Sequence, residues 1–110
     1  MFRIIKESEA VIREINENKK AANLITKEIS GDLSLAVLEG VNYSEKEISA
    51  YSRIYYVLKG ELILNFGGED HSLATGDACF ISKGTGYEMR GIFKVIVINQ
   101  PAFGSIIDDK

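Results

Sequence analysis

From residue 24 onward the chain alternates short apolar runs with turns that contain glycine, a pattern typical of β-strands. The Gly67-Gly68 pair predicts the tip of a hairpin. Roughly eight to nine short strands without a helix favour an all-β sandwich or closed barrel, most naturally a jelly roll, over alternating βαβ units. The predicted strands cover residues 24–29, 33–38, 48–58, 61–66, 71–73, 78–81, 87–90 and 92–99.

The first part of the chain has a different pattern, with eight charged side chains among residues 6–20. Val11, Ile12 and Ile15 fit one face of a short helix, but valine and isoleucine equally favour a strand. The N-terminal part therefore predicts either a short helix or an extra strand. Residues 16–20 carry no apolar side chain and predict an exposed turn or loop.

Length and composition are those of one ordinary globular domain, covering residues 1–110 with a barrel core at about 24–100. The net charge is -3 and basic residues are interspersed with acidic ones, so we expect no nucleic-acid partner. No apolar run has the roughly 18 to 20 residues of a spanning helix, and we expect no membrane partner. The early acidic residues and the single cysteine, Cys79, favour a cytoplasmic protein without disulfides.

The C-terminal part is unusually apolar for a chain of this size. Residues 92–98 are almost continuously apolar, which predicts a strand buried on both faces or pressed against a second subunit, and Pro101 should end it. Phe103, Ile106 and Ile107 should cap the barrel or contribute to a dimer interface. A homodimer is therefore the expected assembly.

Two segments carry a family resemblance, YYVLKGEL at 55–62 and GDACFISKGTGY at 76–87. They resemble the two sequence motifs of cupins, because Gly76 and Gly84 keep the spacing of the second motif and Gly60 ends the first. The resemblance covers most of residues 40–98. It implies a jelly-roll barrel with a site inside it.

The metal ligands of the family do not carry over. The resemblance places the second-motif histidine at Tyr87 and the first-motif glutamate at Arg53, a side chain that keeps its positive charge and repels a cation. The two remaining histidines fall at Glu47 and Ser49, or at Lys46 and Ile48 in the other register. We therefore expect no metal and no cofactor.

A pocket can still be predicted by strand alternation. If Arg53 points inward, alternation along its run and on the facing strand predicts a ligand-binding set of Glu47, Ser49, Tyr51, Arg53, Tyr55, Tyr87 and Met89, with Val57 on the same face. Arg53 can bind a carboxylate or phosphate through two parallel N–H bonds, or it can form an internal ion pair with Glu47 that serves only the fold.

Three functions remain open from the sequence. The first is metal-independent binding of a small polar or anionic ligand inside the barrel. The second is an isomerase, epimerase or lyase that transfers protons with Tyr87 and either Glu47 or Arg53. The third is a structural or interaction module whose barrel is closed. His71, the single histidine, predicts a surface residue, and Cys79 predicts a small hydrophobic side chain in an apolar strand.

Overall fold

The computed structural model describes residues 1–106, which form an antiparallel β-fold. A 3-10 turn, Glu7–Glu9, precedes the strands. Within the described residues there are seven strands: β1 (Val11–Asn16), β2 (Lys19–Ile25), β3 (Ser34–Ile48), β4 (Ser52–Phe66), β5 (Glu69–Leu73), β6 (Ala78–Ile81) and β7 (Gly86–Gln100). The predicted all-β jelly-roll class is confirmed.

Three strands of 15 residues each, β3, β4 and β7, make the framework. β7 lies between β3 and β4 and pairs with both along almost its whole length. β2 and then β1 extend the sheet from the first half of β3, while β6 and β5 pair with the first and second halves of β4. Each long strand changes register or backbone angle near its middle, and there the sheet bends over on itself.

The bend requires one glycine on each of the paired strands β4 and β7. Gly60 has φ 81° and Gly91 has φ 132°, both in the region that side chains disfavour. A Cβ at Gly60 would lie 2.2 Å from the carbonyl oxygen of Ile92, and a Cβ at Gly91 would lie 2.5 Å from that of Glu61. We predicted strand ends here, which is wrong: residues 61–66 continue β4, and 87–90 and 92–99 belong to one strand, because glycine bends a strand as readily as it ends one.

The predicted run 48–58 is also wrong in one respect. β3 ends at Ile48 and β4 begins at Ser52, so a connection separates residues that we placed on a single strand. Ser49 closes this connection, because its backbone N–H donates to the Thr85 carbonyl and its carbonyl accepts from the Gly84 N–H.

The N-terminal part contains the extra strand rather than the helix, since β1 pairs antiparallel with β2. β2 begins at Lys19, so the predicted exposed loop at 16–20 is too long, and the strand predicted at 24–29 lies instead at 19–25. The error at Lys19 has a physical cause: a long side chain can follow an apolar surface inward and meet a carboxylate at its end. Only 9% of the Lys19 side chain is exposed.

Residues 92–98 alternate between buried and partly exposed positions rather than being buried on both faces. Pro101 follows the last residue of β7, as predicted. The tail turns back over the barrel, where the Phe103 ring lies 5.5 Å from that of Tyr51. Ile106 is half-buried, and Ile107 lies outside the described residues.

Candidate functional site

A cavity of about 550 Å³ lies against the inner faces of β1, β2 and β3 and the adjoining ends of β4 and β7. Its walls are mainly apolar, with Ala21, Leu38 and Val97 among them. Phe103 and Gly104 from the tail form part of its rim. Charged side chains also line the cavity, and among them Arg53 and Lys19 are the centres of two hydrogen-bonded clusters.

Arg53 lies at the centre of the first cluster and is 5% exposed. Its Nε donates to Oδ1 of Asn99 at 2.6 Å, and its Nη1 donates to Oε1 of Glu47 at 2.8 Å and to the Tyr87 hydroxyl at 2.7 Å. Tyr87 in turn donates to the same Glu47 oxygen at 2.8 Å and lies 2.8 Å from the Tyr55 hydroxyl. The guanidinium is therefore held on two sides by protein groups.

Strand register brings these residues together. Arg53 is paired with Asn99 across β4 and β7, and Glu47 is paired with Tyr87 across β3 and β7. Because β7 bends at Gly91, its two ends approach each other from opposite walls of the barrel. Arg53 joins them, since it contacts both Tyr87 and Asn99.

The electrostatics of this cluster fix its protonation. Burial opposes the charge of Arg53, but the neighbouring phenols and the Glu47 carboxylate outweigh it and hold the pKa of the guanidinium above its ordinary value. Burial is the main cause that raises the pKa of Tyr87, and it raises the pKa of Tyr55 as well. Both phenols therefore keep their protons at neutral pH.

A second cluster comprises Lys19, Tyr43 and Glu45. Oε1 of Glu45 accepts from Lys19 Nζ at 2.7 Å and from the Tyr43 hydroxyl at 2.5 Å. Burial alone would raise the pKa of Glu45, but these two hydrogen bonds and the positive charges of Lys19 and Arg53 together outweigh it and hold that pKa below its ordinary value. Burial and the bond to Glu45 raise the pKa of Tyr43.

The predicted ligand-binding residues divide into two groups. Glu47, Arg53 and Tyr55 line the cavity. The other four residues are buried but do not line it: Ser49, Tyr51, Tyr87 and Met89. The Ser49 hydroxyl donates to the Tyr51 carbonyl, and the Tyr51 hydroxyl accepts from the Gly104 N–H. The Met89 sulfur accepts from the Tyr55 hydroxyl at 3.6 Å. Glu47 and Tyr87 also line a second depression on the other side of the cluster.

Sequence reasoning missed Lys19, Tyr43, Glu45 and Asn99. Strand alternation could have found two of them, because Glu45 and Tyr43 precede Glu47 by two and four positions. Only the pairing of Asn99 with Arg53 across the sheet identifies it as part of the site, and that pairing cannot be seen in the sequence. His71 is half-exposed and lies 3.2 Å from Glu69, which confirms a surface position, and Cys79 packs partly buried against the core.

Two donors of the first cluster remain available. No fully buried side-chain nitrogen or oxygen among the described residues lacks a hydrogen-bond partner. Nη2 of Arg53 and Nδ2 of Asn99 have no partner in that part of the chain, so both must be accessible, and both residues line the cavity. Adjacent donors on a guanidinium and an amide suit a planar anion.

The sequence profile of the cupin domain family matches residues 35–98, more than half of the chain. The chain belongs to the cupin superfamily. KdgF from Halomonas sp. superposes with a TM-score of 0.82 at 15% identity, covering 97% of this chain and 100% of the other. An RmlC-like cupin from Shewanella frigidimarina superposes with 0.81 at 17% identity, covering 97% of each chain.

A third solved structure is more similar in sequence. It is a putative ethanolamine utilization protein Q from Salmonella typhimurium, 24% identical with a TM-score of 0.71, covering 76% of this cupin and 70% of that chain. At these identities the likeness establishes the fold. No curated protein matches the sequence significantly.

The residues present do not fit the divalent metal that many cupins hold. At the motif positions, the Arg53 guanidinium lies 2.8 Å from the single carboxylate, Glu47, and Tyr87 retains its proton. Residues 1–106 contain no group of three histidine, cysteine, aspartate or glutamate side chains placed to share an ion. The same residues include no helix with the length and apolar character that a membrane crossing requires.

Proposed function

We propose that this cupin binds a small organic anion, a carboxylate, in its barrel without a metal. The observation that carries the proposal is Arg53, a nearly buried guanidinium that lines the cavity and has one nitrogen without a partner among residues 1–106. A buried charge whose hydrogen bonds are incomplete is costly, and a ligand anion would complete them. Asn99 supplies a second donor next to it.

The rest of the cavity suits an organic molecule. Ligand pockets are commonly about 300 to 1,000 Å³, mostly apolar, with a few convergent polar groups. This cavity has about 550 Å³ and mainly apolar walls, and its polar groups include the two clusters. Inorganic anions would leave the apolar walls without contacts.

Isothermal titration calorimetry with hexanoate and succinate, against hexan-1-ol as the uncharged control, tests the proposal. We expect at least one carboxylate to bind, and Asn99→Asp to weaken it about ten-fold or more, since aspartate keeps the Arg53 contact but replaces a donor with a negative charge. Asp70→Asn, a surface change, is the matched control. Carboxylate binding no tighter than that of hexan-1-ol would reject the proposal.

Metal independence has its own measurement. Elemental mass spectrometry of protein purified without chelator or nickel resin should find metal far below one ion per chain. Near-stoichiometric metal would contradict this part of the proposal. Dialysis against chelator should leave carboxylate affinity unchanged.

The other two functions have less support. Proton transfer by Tyr87 needs a phenol that exchanges its proton readily, whereas this phenol donates to Glu47 and has a raised pKa. A module with a closed barrel needs an interior filled by side chains, and the cavity does not fit that description.

We also propose a homodimer, formed through the outer face of the sheet. Here a row of apolar residues crosses six strands in register, and a neighbouring row ends in Phe80, which is 65% exposed. The row comprises Ile12, Ala22, Val37, Ile96, Tyr56 and Ala78. A face of this kind is large for a monomer and suits a self-complementary two-fold interface.

Size-exclusion chromatography with light scattering should give a dimer mass, and Phe80→Glu should shift it towards the monomer while Lys83→Glu does not. A wild-type monomer at all concentrations would exclude the dimer.

A cytoplasmic location is proposed as well, supported by the absence of any disulfide in the described chain, where Cys79 is unpaired.

A further inference from the structure

The cavity has an acceptor side as well as a donor side. Glu45 and Glu47 lie two positions apart on the same face of β3, about 7 Å along the strand. Each uses Oε1 for one cation and one phenol. Neither Oε2 has a partner within residues 1–106, and because no fully buried oxygen there is unsatisfied, both are accessible.

The two carboxylates are already compensated. Lys19 neutralises Glu45 and Arg53 neutralises Glu47, so these two ion pairs add no net charge to the cavity. What remains is hydrogen-bonding capacity: Glu45 lines the cavity and has Oε2 without a partner among residues 1–106, and Glu47 lines both the cavity and the second depression. A ligand that carries only a carboxylate and an apolar chain would make no use of these oxygens as acceptors.

The ligand group that donates to Glu45 should be neutral rather than positively charged. Lys19 Nζ lies 2.7 Å from Oε1 of the same carboxylate, so an ammonium group bound to Oε2 would stand within a few ångströms of a second positive charge. The Lys19 side chain is nearly buried, where solvent screens that repulsion weakly. A hydroxyl group donates to Oε2 without this repulsion.

We infer that the ligand is a polyhydroxylated carboxylic acid, an inference that rests on the proposed function and specifies its substrate class. The carboxylate contacts Arg53 and Asn99, and hydroxyl groups donate to Glu47 and, several carbon atoms farther along, to Glu45. The separation of the two glutamates along β3 sets that spacing. The site would thus recognise both the charge of the carboxylate and the positions of the hydroxyl groups.

Four six-carbon probes separate the contributions by titration calorimetry. Gluconate carries the carboxylate and hydroxyl groups, hexanoate lacks the hydroxyls, sorbitol lacks the carboxylate, and 6-aminohexanoate has an ammonium at the far end. We expect gluconate to bind about ten-fold or more tightly than each of the others. Chelator-treated protein should give the same order.

Glu45→Gln tests the acceptor directly. It should lower the ratio of gluconate affinity to hexanoate affinity about ten-fold, because an amide is a weaker acceptor than a carboxylate, whereas the Lys19 charge left without its partner attracts both anions. Glu39→Gln is the matched control, since Glu39 lies on the outer face of the same strand, 3.6 Å from Lys20. Thermal melting of both variants confirms that they fold; if Glu45→Gln does not fold, the probe order on wild-type protein decides alone.

The outcomes distinguish this inference from the proposed function. If hexanoate binds as tightly as gluconate, and Asn99→Asp weakens both, the polyhydroxy acid is rejected while carboxylate binding stands. Tighter binding of 6-aminohexanoate than of gluconate rejects it in favour of a zwitterion. If no probe binds, or none responds to Asn99→Asp, both proposals are rejected.

Discussion

Two arginine–carboxylate pairs of this cupin have similar contact distances and opposite surroundings. Arg53 meets Glu47 through one nitrogen at 2.8 Å, and their side chains are 6% and 29% exposed. Arg90 meets Asp70 through two nitrogens, at 3.1 and 2.6 Å, with side chains 44% and 50% exposed. By geometry alone the surface pair is the better one.

The difference shows that surroundings, rather than contact geometry, decide the importance of an ion pair. Water solvates the surface pair well when it is broken, so little stability depends on it. The buried pair shares its atoms with Tyr87 and Asn99, and breaking it leaves several groups unsatisfied at once. The comparison therefore predicts a graded series of effects.

Removing the buried cation should have the largest effect. Arg53→Ala removes one of the donors to the Glu47 carboxylate, the donor to the Tyr87 hydroxyl and the donor to Oδ1 of Asn99, and we expect the free energy of unfolding to fall by about 3 to 5 kcal/mol. Urea unfolding measures it. Arg90→Ala is the control, and equal losses in both variants would contradict the comparison.

Removing one hydroxyl of the network should cost less. Tyr87→Phe keeps the buried ring but deletes the acceptor for Arg53 and the donor to Glu47, with an expected loss of about 1 to 3 kcal/mol. The same unfolding titration checks it. Tyr56→Phe, on the outer face, should leave stability nearly unchanged; a similar loss there would attribute the effect to phenols in general.

Lowering the pH should reduce the contribution of Glu45, in the second cluster, to the stability of the fold. The folded pKa of Glu45 is lowered, so its contribution is present above the ordinary pKa of 4.5 and is lost as pH falls through the folded value. The difference in unfolding free energy between wild type and Glu45→Gln should shrink from pH 7 to pH 3. The difference should be small because Glu45 is partly exposed. A difference that grows as the pH falls would contradict the lowered pKa.

The surface pair should show the smallest effect. The hydrogen bonds from Arg90 and Asn65 lower the pKa of Asp70 to about 2, but water screens the half-exposed carboxylate. Asp70→Asn should therefore leave the melting temperature unchanged within error at 0.15 M salt. NMR titration of Asp70 should still find a low pKa, and an ordinary value would show that the pair does not form in solution.

The sequence predicted the fold through features that are local to each strand. Ala78–Ile81 appears as predicted, and Gly67-Gly68 is the predicted hairpin tip. Gly60 and Gly91 misled the strand count because the same residue serves a turn and a bend within a strand, and only the facing carbonyl oxygens distinguish them. Such long-range proximity is absent from local patterns.

The site was predictable where alternation along one strand determined it. Arg53 and Tyr55 are buried as predicted, and Glu47 joins them although it belongs to another strand. Lys19 was assigned to solvent because its neighbours are charged, and only the position of Glu45 across the sheet explains its burial. Whether these side chains bind a ligand remains a prediction.

Arg53 contacts two residues of the same strand, Tyr87 near its start and Asn99 near its end. A fluctuation that frees one end of β7 therefore disturbs the other, although a bend separates them. Amide hydrogen exchange along β7 should follow a single cooperative opening, and an anion bound at Arg53 should slow exchange at both ends together. The guanidinium thus couples the two ends of β7 through its hydrogen bonds.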